Sequence, residues 1–397
     1  MGHEPKVTVV SRISVVCMML GLWACGGEEP SVDNGSKDTV IADWSFSLAG
    51  EPRTLNAQGR GLFANVLVTD DTVITTYQIA QPDSLTNGKH LFYQTFDREL
   101  TPDKGETFAI NVDSADPIDW KGDLGDHKLV LVGDSIFMVA IKKGDSQAAI
   151  VEFDLDFSYI SGPVYLGNPN GMEERHEDMG FCSDGTALYA QFFSQVIPND
   201  PSSWQAVIYK LGENGEVESS AFVKPESGSF VTGTSILFVP KGQMGASQDH
   251  LQSFSTNRDY GNSARVGIHT FATDMDLKLI SGSTQTIVER ELDTYFPVGP
   301  SFNAKHQLWI VGYTMENFEG EHGTRGISQE LGPSFITIFD AYWTELETIQ
   351  VNSGDPAFRV MTQTVGDDIY VVYDEMDFSG SATESRARIE HYKIGAR

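Results

Sequence analysis

Histidine, carboxylate and arginine side chains gather in a few segments of this 397-residue chain. Runs of alternating apolar residues border these segments, so the segments are predicted connections between strands. Carboxylates and histidines that meet at one place can hold a divalent metal such as Ca²⁺ or transfer protons. The candidate site residues of this kind are Asp119, Asp123, Asp126, His127, Arg175, His176, Glu177, His250, Asp259, His322 and Arg325.

The spacing of these candidates matches no known site. Asp119, Asp123 and Asp126 lack the alternating pattern and the glycine of a calcium loop. No second histidine follows His176-Glu177 at helical spacing, and GTSIL, which begins at Gly233, lacks the final glycine of a nucleophile elbow. Both a bound divalent metal and catalysis by carboxylates from different parts of the chain therefore stay open.

The aromatic candidates Trp120, Trp204 and Tyr260 also lie in predicted connections. An exposed aromatic ring can stack on a sugar or anchor a protein partner. The same residues could instead cover the core, so the sequence leaves both roles open.

Strands must position all of these residues. From Ile41 onward the apolar runs are short, alternating and rich in Val, Ile, Tyr, Phe and Thr, and Gly, Asp, Asn or Pro bounds them. One strand pattern recurs six times at intervals of about 60 residues. Its copies begin at Lys89, Gln147, Gln205, Val266, Ser334 and Ala387.

Each of these periods contains four predicted strands, except that the chain ends at Arg397 before the fourth strand of the sixth period. The unassigned strand IADWSFSL, residues 41–48, supplies the missing one. This pattern predicts an all-β fold, a six-bladed β-propeller of four-stranded blades whose ring is closed by an N-terminal strand. The turns SDGTALY (residues 183–189) and GDDIYVV (residues 366–372) resemble those of exported bacterial propellers, a resemblance that implies a fold but no function.

In such blades, the connection from the second to the third strand and the connection between blades emerge on one face. The predicted second-to-third connections are long in five blades, at residues 79–88, 193–204, 241–265, 315–333 and 375–386. We call this side the loop-rich face and expect it to be the working surface, with the candidate residues on it.

Charge and cysteine content exclude several classes of function. The formal net charge is −29, so nucleic acid is excluded as a partner and an anionic membrane surface would repel the chain. The three cysteines are Cys17, Cys25 and Cys182, too few for a disulfide framework.

The N-terminus carries a targeting signal. An apolar run at residues 13–22 follows Lys6 and Arg12 and is too short to span a bilayer permanently. It ends in Leu-Trp-Ala-Cys, which resembles the lipobox of bacterial lipoproteins. The resemblance implies a signal peptide at residues 1–24, a lipidated Cys25 with a flexible tether at residues 25–38, and a domain at residues 39–397. Gly26 stands where an aspartate would retain the protein in the inner membrane, so the resemblance implies the outer membrane.

Together these features predict a lipid-anchored, monomeric module of the bacterial cell envelope. It contacts the membrane only through its lipid, and we expect it to bind a protein or a carbohydrate without catalysis. The alternative is an exported hydrolase that acts on glycans with carboxylates from different blades at the mouth of the channel.

Overall fold

Every regular element in the described part of the computed structural model is a β-strand. The described residues are 44–55, 61–80, 88–103, 108–110, 124–142, 147–167, 177–195, 204–212, 214–224, 231–257, 266–290, 294–316, 331–352, 357–377 and 384–396. They all belong to one unit, residues 43–397. Over these ranges no helix has the length and apolar character needed to cross a bilayer.

The strands pair in antiparallel fashion into six four-stranded blades, five of them in chain order, and one pairing of Gly88 with Leu124 also links blades 1 and 2. Blade 1 has β3 (Gly61–Val68), β4 (Val73–Ala80), β5 (Gly88–Phe96) and β6 (Phe108–Ile110), and blade 2 has β7 (Leu124–Val132), β8 (Ser135–Lys142), β9 (Gln147–Asp154) and β10 (Tyr159–Leu166). Blade 3 has β11 (Glu177–Ser183), β12 (Leu188–Gln195), β13 (Trp204–Leu211) and β14 (Val217–Val223), and blade 4 has β15 (Val231–Val239), β16 (His250–Asn257), β17 (Val266–Thr273) and β18 (Gln285–Arg290). Blade 5 has β19 (Thr294–Asn303), β20 (Leu308–Glu316), β21 (Leu331–Phe339) and β22 (Glu345–Val351).

An N-terminal strand closes the ring. Blade 6 consists of β23 (Ala357–Val365), β24 (Asp368–Asp377), β25 (Glu384–Ala396) and, from the other end of the domain, β1 (Trp44–Leu48). Strand β1 pairs with β25 from Trp44 opposite Ala396 to Leu48 opposite Tyr392, and the short β2 (Arg53–Thr54) also pairs with β25. The predicted six-bladed propeller and its closure are confirmed.

The core lies between neighbouring blades. The buried apolar side chains form six clusters, and each cluster joins residues of two adjacent blades. In blades 4 and 5, for example, the rings of Trp309 and Trp343 stack 4.7 Å apart, and Phe254 meets both indoles edge-on. Each fully buried leucine or phenylalanine contributes about 1.5–3 kcal/mol to the free energy of folding. These six interfaces therefore hold the ring together.

An aspartate organises the turn from the third to the fourth strand in four blades. Asp97, Asp154, Asp274 and Asp340 each accept, through Oδ1, the N–H groups of the residues two and four positions later. The residue three positions after the aspartate has a positive φ in every case, and blade 3 places Gly215 at its own turn. The repeat is therefore more regular in backbone geometry than in sequence.

The structure corrects the prediction for blade 4. Residues 241–265 do not form one connection between second and third strands, because β16 (His250–Asn257) lies within them. Residues 240–249 instead join β15 to β16 at the face opposite the loop-rich one. The sequence hid β16 because serines occupy buried positions: Ser253 and Ser255 are buried between blades, and Ser253 Oγ donates to Gln191 Oε1 at 2.6 Å.

Candidate functional site

The first strand of each blade lines the channel and carries a register shift. The shifts follow Leu62, Leu124, Glu177, Thr232, Tyr295 and Phe358. All six lie in the half of the strand that begins at the loop-rich face. A bulge changes the direction in which its side chain points. We therefore expect side chains that depart from the normal strand alternation at this end of the channel.

Three of these bulges bring together the third residues of their strands: Phe63 in β3, Asp126 in β7 and Arg359 in β23. Phe63 has a φ of 57° and Arg359 a φ of 54°. Non-glycine residues avoid this left-handed region, at a cost of about 1–3 kcal/mol each, and such residues persist where the surroundings hold them. Two strained residues that also touch each other mark this place as a candidate site.

An ion pair crosses the channel at this level. Arg359 Nη1 lies 2.5 Å from Asp126 Oδ2, although blade 1 separates blade 6 from blade 2. A direct contact between these two blades must pass the inner edge of β3. There the guanidinium carbon of Arg359 lies 4.1 Å from the ring centroid of Phe63, within the range of a cation–π contact.

A second cation completes the group. Lys128 Nζ lies 3.8 Å from Asp126 Oδ2 and 3.2 Å from Met361 Sδ, again joining blades 2 and 6. We call Phe63, Asp126, Lys128, Arg359 and Met361 the channel cluster. The Asp126 side chain is 5% exposed and the Lys128 and Arg359 side chains 11% each, so all three are largely removed from solvent.

The charges of the cluster fix the ionisation of Asp126. Burial alone would raise the pKa of this carboxyl, but Arg359 and then Lys128 outweigh that effect and lower it. At neutral pH the cluster therefore holds one carboxylate between two cations in a largely desolvated position.

Asp374 of β24 supports the cluster from between blades 6 and 1. Its Oδ2 accepts the N–H of Phe63 at 2.8 Å and its Oδ1 accepts the N–H of Ala64 at 3.0 Å. Burial raises the pKa of Asp374 to about 7 despite these hydrogen bonds and the charge of Arg359. Both oxygens are engaged with the bulge of β3, so Asp374 holds Phe63 in its left-handed conformation.

His127 is not a loop residue of the working face. It lies in β7 with its ring buried between blades 1 and 2, 2.8 Å from Thr76 Oγ1, while Gln78 Nε2 lies 3.1 Å from Nδ1. Burial lowers the pKa of His127 to about 3, so the imidazole is neutral at physiological pH. Adjacent residues of a strand point to opposite faces, so Asp126 of β7 faces the channel and His127 faces the blade interface. The predicted loop position of His127 was therefore wrong.

Three other candidates lie in described strands. Glu177 begins β11 and Trp204 begins β13, so both backbones are at the loop-rich face, although Trp204 belongs to a strand rather than to a connection. His250 begins β16 at the opposite face, near Gln248 O and Gln252 Oε1, and cannot join the channel cluster. Outside the described residues lie Asp119, Trp120, Asp123, Arg175, His176, Asp259, Tyr260, His322 and Arg325, together with Cys25.

No three His, Cys, Asp or Glu side chains in the described ranges are arranged to hold a metal ion. Five residues of the site were not found from the sequence: Phe63, Lys128, Arg359, Met361 and Asp374. Part of the site could have been recognised from the sequence, because three polar residues, Asp126, His127 and Lys128, stand at the start of an otherwise apolar strand.

Comparisons with known proteins support the fold. No family model matches the sequence, and no curated protein is similar to it. Among solved structures, the parainfluenza virus 5 hemagglutinin-neuraminidase with the ligand DANA superimposes with a TM-score of 0.51 at 7% identity, over 89% of this chain and 95% of that one. An arabinofuranosidase mutant from Fusarium graminearum in complex with an iminosugar inhibitor has a TM-score of 0.51 at 13% identity, over 83% of this chain and 92% of that one. At these identities the likeness establishes the fold alone.

Proposed function

We propose that this chain is a hydrolase of the cell envelope that acts on a glycan at the loop-rich end of its channel. The observation that carries the proposal is the ion pair between Asp126 and Arg359, which holds an ionised carboxylate at the channel in a strained and largely water-free setting. Glycoside hydrolysis uses two carboxyl groups beside the scissile bond, and Asp126 is the ionised carboxylate that lies at this end of the channel. Two proteins of similar fold bear names that describe action on sugars, in agreement with this choice.

Hydrolysis needs a second carboxyl group to protonate the leaving oxygen. Asp374 cannot supply it, because its side chain is buried and both oxygens accept backbone N–H groups. We assign the general acid to Glu177 from the position of its backbone, which begins β11, the inner strand next to β7. In this mechanism the sugar binds beside the channel cluster, Arg359 and Lys128 keep Asp126 ionised, and Glu177 delivers the proton.

The lipobox-like sequence supports a second part of the proposal, that Cys25 carries a lipid that attaches the enzyme to the outer membrane. A Cys25→Ser variant should move from the membrane fraction to the soluble fraction without loss of the folded domain. Retention of this variant in the membrane fraction would contradict the lipid anchor.

The test of activity uses the full chain, solubilised in detergent, with a panel of nitrophenyl pyranosides and furanosides. We expect turnover by the wild type, a loss of at least about 100-fold in Asp126→Asn and Glu177→Gln, and no change in Asp276→Asn. Asp276 is a matched control, because its side chain is 79% exposed at the opposite face. Saturable binding of a glycan with no cleavage would instead establish the non-enzymatic binding module expected from the sequence.

A further inference from the structure

Three contacts in series connect Asp374 to Asp126, although the two carboxyl groups belong to different blades. Asp374 holds the N–H groups of Phe63 and Ala64, the ring of Phe63 carries the guanidinium of Arg359, and Arg359 pairs with Asp126. Each contact fixes the next one, because Phe63 keeps its positive φ only while the bulge of β3 is held.

We infer that Asp374 is the positioning residue of the site, which sets the location and orientation of Asp126 through Phe63 and Arg359. This inference rests on the proposed function. The Asp374 side chain is buried, and its two oxygens face the bulge of β3. Its two backbone hydrogen bonds determine where the Phe63 ring lies, and the ring together with Asp126 determines where the guanidinium lies.

The charged groups around Asp374 make this arrangement sensitive to pH. Arg359 of β23 and Asp126 of β7 act on its carboxyl group through their charges, whereas β3 contributes only N–H donors. Beside it, Glu375 of β24 pairs with Arg388 of β25 at 3.1 Å. Because burial raises the pKa of Asp374 to about 7, its carboxyl group changes charge near neutral pH, where the added charge strengthens its hold on the two N–H groups and on Arg359.

The experiment compares Asp374→Asn with Glu390→Gln. Glu390 is a matched control in the same blade, also buried, where it accepts hydrogen bonds from Tyr373 and Tyr392 away from the channel cluster. We expect Asp374→Asn to lower kcat at least 10-fold with KM within 2-fold, and to remove the change in rate near pH 7. Glu390→Gln should lower the melting temperature alone. Equal kinetic profiles for the two variants would overturn the inference.

A second measurement separates this inference from the proposed function. If the wild type cleaves no glycoside, the proposed function fails, but the coupling can still be measured in the melting temperatures of Asp374→Asn, Arg359→Gln and the double variant. A positioning role predicts that the double variant loses clearly less than the sum of the single losses, whereas Glu390→Gln with Arg359→Gln should be additive. Additive losses for Asp374 and Arg359 would overturn the inference without reference to activity.

Discussion

Arg359 of the sixth blade forms an ion pair with Asp126 of the second blade, 2.5 Å apart across the channel, and the blade between them contributes the ring of Phe63 to the contact. Most contacts in the ring join adjacent blades, through the six apolar clusters. The pair therefore links three blades at the point where the ring is closed, and it does so with groups that are costly to bury singly.

Arg359→Gln should lower the free energy of unfolding by about 3–5 kcal/mol, because it leaves Asp126 buried with only the more distant Lys128 as a cation. Urea denaturation measures this loss. The double variant Asp126→Asn with Arg359→Gln should recover part of it, since position 126 then no longer holds a buried carboxylate that has lost its nearest cation. Lys278→Gln is the control: it breaks an exposed pair with Asp276 and should cost about 0.5 kcal/mol or less. Equal losses in Arg359→Gln and Lys278→Gln would contradict the buried pair.

The pH dependence of stability should carry a contribution from Asp374 opposite in sign to that of Asp126. The pKa of Asp374 is about 7 in the folded chain, against about 3.9 for an unfolded aspartate, so between these values the folded chain binds the extra proton. The contribution of Asp374 to the free energy of unfolding is present in full below about pH 4. It falls by an amount on the order of a few kcal/mol as the pH rises through 7. The difference in unfolding free energy between wild type and Asp374→Asn, measured by denaturation from pH 4 to 8, should decline over this range. A difference independent of pH would rule out the raised pKa.

The architecture could be predicted from the sequence because each blade repeats the same alternation of apolar residues. The four-strand period identified the blades. The sixth period has only three predicted strands, which indicated that β1 completes the last blade. The pairing of Trp44 with Ala396 confirms this prediction. These predictions depend only on local apolar patterns and on the number of strands in each period. They need no knowledge of contacts between distant residues.

The site could not be predicted in the same way. Asp126 and Arg359 lie far apart in the sequence, and their meeting depends on the position of each bulge relative to the channel. Bulges are hard to find here because Phe63 and Arg359 adopt positive φ without being glycines. Asp126 and His127 are adjacent, yet a difference of one position sends one to the channel and the other to the blade interface.

Gly299→Ala tests how closely the inner strands of blades 5 and 6 approach each other. A Cβ at Gly299 would lie 2.1 Å from the carbonyl oxygen of Val360, a backbone atom that can move only with its strand. We expect a loss of about 3 kcal/mol or more, since overpacking against backbone cannot relax through a side-chain rotation. Gly167→Ala is the control, with nothing within 4 Å of its Cβ. Equal melting temperatures for the two variants would mean that the strands lie farther apart.

Deletion of residues 44–54 tests the closure of the ring by β1 and β2. The deletion exposes the edge of β25 and removes Trp44 and Phe46 from the apolar cluster that contains Tyr392 and Ile394. An open strand edge with unpaired N–H and C=O groups favours association between chains. We expect a much lower melting temperature and concentration-dependent aggregation. Leu48→Ser should leave both unchanged, because Leu48 is 47% exposed at the end of the same strand. If the deleted chain melted cooperatively at the wild-type temperature, β1 would be an accessory strand and the ring would be closed by the interface between blades 6 and 1, including Asp374 and the channel cluster.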